Sequence, residues 1–260
     1  MLTTSRPVPP RQATPHADRR LAKHSFGWEA GLVDVLCAHA ARFGLRAGHH
    51  EVRTEWAVSN RIADVAVSTF DSRPHLSPRL RGLGRLTMIE LSVLAGMVER
   101  PCDGNFLAAR LYLRAEIVDR ALTRLEQLSL IEAMPDGPWG TFRLTDWKDA
   151  LPTSLHLIEA KLDDWEQAVG QAANYRRFAD AASVALPLSF AGRADVYAAC
   201  EAKGVGLILL QANGEGFQAV EPAAPEPKWQ TIRQQSYVGI LRDFVLKNGY
   251  ATSLHTSTEH

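Results

Sequence analysis

Between Phe26 and Phe43 apolar side chains return every three or four residues. Trp28, Leu32, Val35, Leu36 and Ala40 share one stripe, the spacing of an amphipathic helix, and Gly44 gives it a natural stop. EVRTEWAVS then alternates, and RIADVAVSTF is a short run of small and β-branched residues, so two strands of one sheet are expected. DSRPHLSPRLRGLGR follows, with two prolines and two glycines, and reads as a linker. Beyond it the pattern is helical through LTMIELSVLAGMV, NFLAARLYL and RAEIVDRALTRLEQLSLI. Two short strands in EAMPDGPWGTFRLTD then flank a Pro/Gly turn, with Asp136 to Gly140 at its tip. Thr87 is placed to cap the first of these helices. The third, opened by Arg114, has one apolar face made of Ile117, Val118, Ala121, Leu122, Leu125 and Leu128, and an opposite face of Arg114, Glu116, Arg120, Thr123 and Arg124.

Strand character resumes at SLHLIEAKL. A helix is expected over DDWEQAVGQAANYRRFADAAS, strands in SVALPLS, VGLILLQAN and GFQAVEP, and a last helix from Lys228 to Tyr250 that would pack on either domain. If 26–70 and 154–222 are joined with the intervening part removed, the order is helix, strand, strand, strand, helix, strand, strand, a compact α/β unit. The intervening part then sits at a hairpin tip, where inserted domains are best tolerated. The expected organisation is therefore a disordered basic arm over 1–23, a discontinuous α/β domain over 24–78 and 150–225, an insert over 79–149, and a C-terminal helix over 226–250. Three helices and a hairpin over 85–147 resemble a winged helix-turn-helix of the MarR-like kind. That resemblance implies DNA binding through Arg114, Arg120, Thr123 and Arg124, with Trp139 on the wing.

Composition narrows the picture. With 260 residues and 46% hydrophobic content the chain can bury a real core. Its most apolar runs, such as Val205 to Leu210, are strand-sized, so no membrane association is expected. The N-terminal stretch lacks the apolar segment of a secretion signal, and Cys37, Cys102 and Cys200 are too irregularly spaced for a disulfide framework or a zinc site. A cytoplasmic protein with reduced thiols is expected. Lys plus Arg equals Asp plus Glu at 29 each, so nucleic-acid binding has to arise from local patches. His49 and His50, beside a glycine, read as loop residues.

Chemistry enters where charge interrupts apolar strands. Asp64 stands in Ile62-Ala63-Asp64-Val65, and Glu159 and Lys161 stand in Ile158-Glu159-Ala160-Lys161. Buried strands rarely hold charges without a reason. Side chains two apart on a strand point to the same side, so Glu159 and Lys161 address a common point that Asp64 joins from a neighbouring strand. Two carboxylates and a main-chain carbonyl, that of Ala160, make a hard-oxygen site for Mg²⁺ or Mn²⁺, and a nearby lysine orients or helps deprotonate an attacking water. No small-molecule cofactor is expected.

This D…E-x-K layout after a first helix resembles the PD-(D/E)XK nuclease superfamily, whose restriction-endonuclease-like fold is a central mixed sheet flanked by helices. Gln171 and Tyr175, ten and fourteen residues after Lys161 and four apart on a helix face, resemble the Gln and Tyr that follow the lysine in its RecB-like branches. The resemblance implies that Asp64 and Glu159 bind metal, that Lys161 serves the water, and that Gln171 and Tyr175 steady the site or the DNA strand. Glu29 on the first helix matches an accessory acidic position, and Glu55 is a further acidic candidate on the first strand. Ala63 stands where the motif carries proline. The implied activity is metal-dependent endonucleolytic hydrolysis of DNA, with a homodimer that cuts two strands. The alternative is a DNA-binding transcriptional regulator that keeps the nuclease-like fold as a platform. In the bland reading Asp64, Glu159 and Lys161 form a structural ion pair, the Gln171/Tyr175 pair is helix-surface packing, and the arginines are a solvated helix face diluted by Glu116 and Asp119.

Overall fold

The computed structural model describes residues 26–43, 46–58, 61–75, 78–135 and 140–249. The arm at 1–23, Trp139 and most of the wing tip lie outside the described residues. In chain order the elements are α1 (Glu29–His39) with a 3-10 turn at Ala40–Phe43, β1 (His49–Val58), β2 (Arg61–Phe70), α2 (Pro78–Leu83), α3 (Met88–Met97), β3 (Cys102–Asp103), α4 (Gly104–Leu111) and α5 (Ala115–Gln127). They continue with β4 (Ile131–Ala133), β5 (Thr141–Leu144), β6 (Ser154–Ala160), α6 (Trp165–Tyr175), β7 (Ala181–Pro187), α7 (Ala194–Lys203), β8 (Gly206–Leu210), β9 (Gly216–Val220) and α8 (Gln230–Gly249). The chain forms two compact units. Of the described residues, one takes those up to Phe43, within His50–Val67 and within Leu155–Pro225, and the other takes Arg46–His49, those within Ser68–Ser154 and those from Glu226 to Gly249.

The first unit is mixed α/β. A six-stranded sheet runs β1-β2-β6-β7-β8-β9, with β6, β7 and β8 parallel and β9 antiparallel to β8. Every residue of β6, β7 and β8 is buried, as strands covered on both faces require. One cover is α1 with the 3-10 turn that follows it, whose Leu32, Leu36 and Ala40 pack with Val65, Val67, Ile158, Ala160, Ala185 and Ile208. The crossovers through α6 and α7 join successive parallel strands in the same direction, which puts both helices on the opposite face. Because Val65 and Ile158 face α1, strand alternation turns Asp64 and Glu159 toward the α6 side.

Several expectations change here. His49 and His50 open β1 instead of lying in a loop. The helix expected over 163–183 ends at Tyr175, and Ala181–Ser183 belong to β7: pairing between two buried strands outweighs the helical preference of the alanines. Between β7 and β8 the chain forms α7, absent from the expected order. Only Val196 and Cys200 of that helix are buried, too few to imprint a readable stripe. It ends at Gly204 (φ +63), where a Cβ would meet Ala223 and the Arg176 guanidinium at 2.8 and 2.9 Å.

The second unit pairs a three-stranded sheet, ordered β3-β5-β4, with helices α3, α4 and α5. Thr87 caps α3 reciprocally with Glu90, and Asp103 caps α4 by accepting the Phe106 N–H at 2.8 Å. In α5, Val118, Ala121, Leu122 and Leu125 are buried while Glu116, Asp119, Arg120, Thr123 and Arg124 are exposed. The segment expected as a linker contains α2, because Leu80 and Leu83 are buried. The strand β3, too short to leave a pattern, pairs antiparallel with β5. The C-terminal helix α8 packs on α2 and α3 of this same unit. Among the described residues no helix is long and apolar enough to cross a membrane.

Candidate active site

The candidate site is built at the end of β6. Its neighbour β2 brings Asp64 level with it, and the Ala160 N–H donates to Asp64 Oδ2 at 2.8 Å. A strand residue's N–H and C=O lie on the same edge, so the Ala160 carbonyl is turned to the Asp64 side as well. One position on, the Lys161 N–H donates to Ala185 O on β7, which holds the backbone of this lysine against the sheet. From there its ammonium lies 3.1 Å from Glu159 Oε1, 3.7 Å from Asp64 Oδ2 and 2.7 Å from Glu29 Oε1 at the start of α1. Three carboxylates from three elements thus converge on one cation.

Burial grades across this cluster. Glu159 is 2% exposed, Lys161 16%, and Glu29 46%, so the cluster opens toward solvent on the Glu29 side. The Tyr175 hydroxyl lies 2.7 Å from Glu159 Oε2 and 2.8 Å from Ile62 O, and with one proton it serves both acceptors only by sharing. Burial raises the Glu159 carboxyl pKa above the ordinary value; the bond from Tyr175 opposes that rise, Asp64 adds to it, and Lys161 counters it. For Lys161, burial alone would depress the ammonium pKa. The bond to Glu29 and the charges of Asp64 and Glu159 outweigh it, and the net shift is upward. Tyr175 is shifted upward by burial and by the Glu159 carboxylate, so it remains a phenol that donates.

Asp64, Glu159, Ala160, Lys161, Tyr175 and Glu29 are therefore brought together. Gln171 is not bonded into the cluster: its Oε1 is buried without a hydrogen-bond partner, one helical turn before Tyr175. Glu55 is exposed, with left-handed backbone (φ 50), and none of the cluster's bonds reaches it. Ala63 is fully buried on the α1 face of β2.

Among the described residues no three His, Cys, Asp or Glu side chains form a ready-made metal cage. The donor set is narrower, namely two carboxylates on neighbouring strands and a main-chain carbonyl. In its chemistry that set fits a hard divalent cation which keeps much of its water, and both acids face one point, at 3.7 and 3.1 Å from the same ammonium nitrogen. The orphaned Gln171 Oε1 adds an unused acceptor on the helix that carries Tyr175. An unmet buried acceptor costs about 1–3 kcal/mol, which a bound water or ligand would recover.

In the second unit Arg114 opens α5 without a side-chain capping bond. Arg120 Nε donates to Glu116 O at 3.2 Å, and Thr123 Oγ1 to Asp119 O at 2.9 Å, so these side chains lie back along the helix. Arg114, Arg120, Thr123 and Arg124 share an exposed face. Sequence reasoning passed over Tyr112, which is 96% exposed in the turn before α5 with φ 54, and also Trp28 and Ile62, which border the acidic cluster. Apolar spacing alone does not separate an outward aromatic from a core one. Comparison with protein-family models, curated proteins and solved structures found no match.

Proposed function

We propose that the chain is a Mg²⁺- or Mn²⁺-dependent phosphodiesterase acting on nucleic acid, DNA in the first instance, on a restriction-endonuclease-like core carrying an inserted winged helix. The observation that carries this reading is the convergence of Asp64 and Glu159, from neighbouring strands, on the Lys161 ammonium at the solvent-facing end of the sheet. Asp64, Glu159 and the Ala160 carbonyl would hold the metal. When bound, the ion offsets charge on the phosphate and makes a coordinated water more acidic. Lys161 donates to a phosphate oxygen or the incoming water, Glu29 holds that ammonium in place, and Tyr175 fixes the orientation of Glu159. Gln171 has a free acceptor with which to orient a water or the strand.

The three helices and β3-β5-β4 sheet of the second unit support a winged helix-turn-helix reading. On that reading α5 enters the major groove and the β4–β5 hairpin rests on the backbone, with Arg114, Arg120 and Arg124 reaching phosphates or guanine edges. Three free cysteines suit a reducing compartment, so we assign the protein to the cytoplasm, with a homodimer serving two-strand cleavage.

The test is incubation with plasmid, linear duplex and single-stranded DNA in Mg²⁺ or Mn²⁺, beside Lys161→Ala and Asp64→Asn. Metal-dependent cleavage abolished by both substitutions is expected. A second reading, a regulator without catalysis, is favoured by one observation: Lys161 is already satisfied by three carboxylates, as a structural ion cluster would be. No cleavage of any substrate, with salt-sensitive DNA binding that ignores divalent metals and Asp64→Ala, would establish that reading instead.

A further inference from the structure

Two large apolar side chains stand exposed at the border of the acidic cluster. Trp28, 76% exposed, immediately precedes Glu29, whose carboxylate bonds Lys161. Ile62, 58% exposed, lies two positions before Asp64 on β2 and therefore on the same face, and its carbonyl accepts from the Tyr175 hydroxyl. Neither has an evident folding role. Trp28 occupies the N-cap of α1, a position that favours Ser, Thr, Asp or Asn, yet its side chain makes no capping bond and stays out of the α1 core that Phe26 and Leu32 enter. Arg61, exposed beside Ile62, is near enough for its charge to act on Tyr175. An outward indole, an outward isoleucine and a guanidinium thus border one carboxylate–lysine cluster.

We propose that Trp28 and Ile62 receive an unpaired nucleobase of the substrate strand, next to the phosphate held at the cluster, and so make the site selective for single-stranded or locally unpaired nucleic acid. The proposal rests on the phosphodiesterase reading and names its substrate class. In a duplex both faces of each base are covered by its stacked neighbours, and an exposed indole beside the backbone finds no partner. An unpaired base offers a π-face whatever its identity, and stacking on an aromatic side chain combined with a cation along the backbone is the usual basis of sequence-tolerant single-strand binding. Arg61 supplies that cation. On the reading in which α5 binds duplex, that binding does not pass through Trp28, so the selectivity of this platform is read as a ratio between substrates.

The experiment measures anisotropy of labelled oligonucleotides in Ca²⁺, as single strand, matched duplex and duplex with a short unpaired bubble, for the native protein, Trp28→Ala, Trp28→Phe and Ile62→Ser. Cleavage of the same substrates in Mg²⁺ is followed in parallel. Both residues are exposed, so unchanged circular dichroism and melting are the check on folding. In Trp28→Ala the ratio of single-strand to duplex affinity falls about tenfold, and the bubble substrate falls with the single strand. Trp28→Phe retains most of the native ratio, and Ile62→Ser falls in the direction of Trp28→Ala. An unchanged ratio in Trp28→Ala, whether binding drops equally on all substrates or not at all, overturns the proposal. If nothing is cut in Mg²⁺ while the Trp28-dependent ratio persists, the phosphodiesterase reading fails and the base platform stands. If cleavage is robust and the ratio is insensitive to Trp28, the platform fails alone.

Discussion

His156 is buried in β6, three residues before Glu159, with its ring held between two partners. Nδ1 lies 2.9 Å from Phe43 O, an atom that only accepts, so Nδ1 carries the hydrogen; Nε2 then accepts from the Ser183 hydroxyl at 2.7 Å. This neutral tautomer ties the 3-10 turn after α1 to the middle of the sheet. Burial lowers the imidazole pKa from 6.5 to about 4, only partly opposed by the Phe43 carbonyl. Between those values the unfolded chain takes up a proton that the folded chain refuses, so this contribution is intact above pH 6.5 and is lost as pH falls toward 4. Each pH unit in the window costs about 1.4 kcal/mol, and the whole window about 3 kcal/mol, a sizeable part of the roughly 5–15 kcal/mol that holds a domain folded. The assay is urea unfolding of the native protein and His156→Gln from pH 7.5 to 4.5. Glutamine is neutral throughout, so the variant starts less stable at pH 7.5 and then loses stability less steeply than the native protein below pH 6.5. Equal slopes in the two proteins would refute the assignment of this proton to His156.

Tyr175→Phe keeps the buried ring and deletes the hydroxyl between Glu159 and Ile62 O, so stability falls by about 1–3 kcal/mol; if Glu159 holds metal, the Mg²⁺ needed for half-maximal cleavage rises by about 10–100-fold. Leu125→Ala on α5, where the side chain is fully buried, costs about 2–5 kcal/mol, seen as a lower urea midpoint for the second unit. Arg120→Glu with Arg124→Glu, both on the exposed face of α5, weakens duplex binding and flattens its salt dependence by about 0.9 log units for each phosphate no longer neutralised; an unaltered slope would mean that α5 does not touch the backbone.

Much of this protein was legible in its pattern of residues. Alternation in EVRTEWAVS, the small and β-branched run RIADVAVSTF and the apolar character of SLHLIEAKL and VGLILLQAN marked strands, and the stripe of Val118, Ala121, Leu122 and Leu125 marked α5, because burial leaves its imprint on the pattern. Charges within such strands flagged Asp64, Glu159 and Lys161 for the same reason. Where burial leaves little imprint the reading failed: α7 buries only Val196 and Cys200, β3 is two residues long, and α2 hides among prolines and glycines.

Strand alternation determined locally that Glu159 and Lys161 share a side. Only the tertiary structure decided what meets them there. The bond from Ala160 to Asp64 spans 96 positions, and that from Lys161 to Glu29 spans 132; both depend on how β2, β6 and α1 pack, which no local period encodes. Helical spacing put Gln171 and Tyr175 on one face equally, yet packing gave Tyr175 the Glu159 carboxylate and left the Gln171 oxygen without a partner. Likewise Trp28 fitted the apolar stripe of α1 by spacing. In the structure Phe26 and Leu32 enter the core and Trp28 stays exposed, because an element's period says which residues are able to be buried, not how many its neighbours have room to cover.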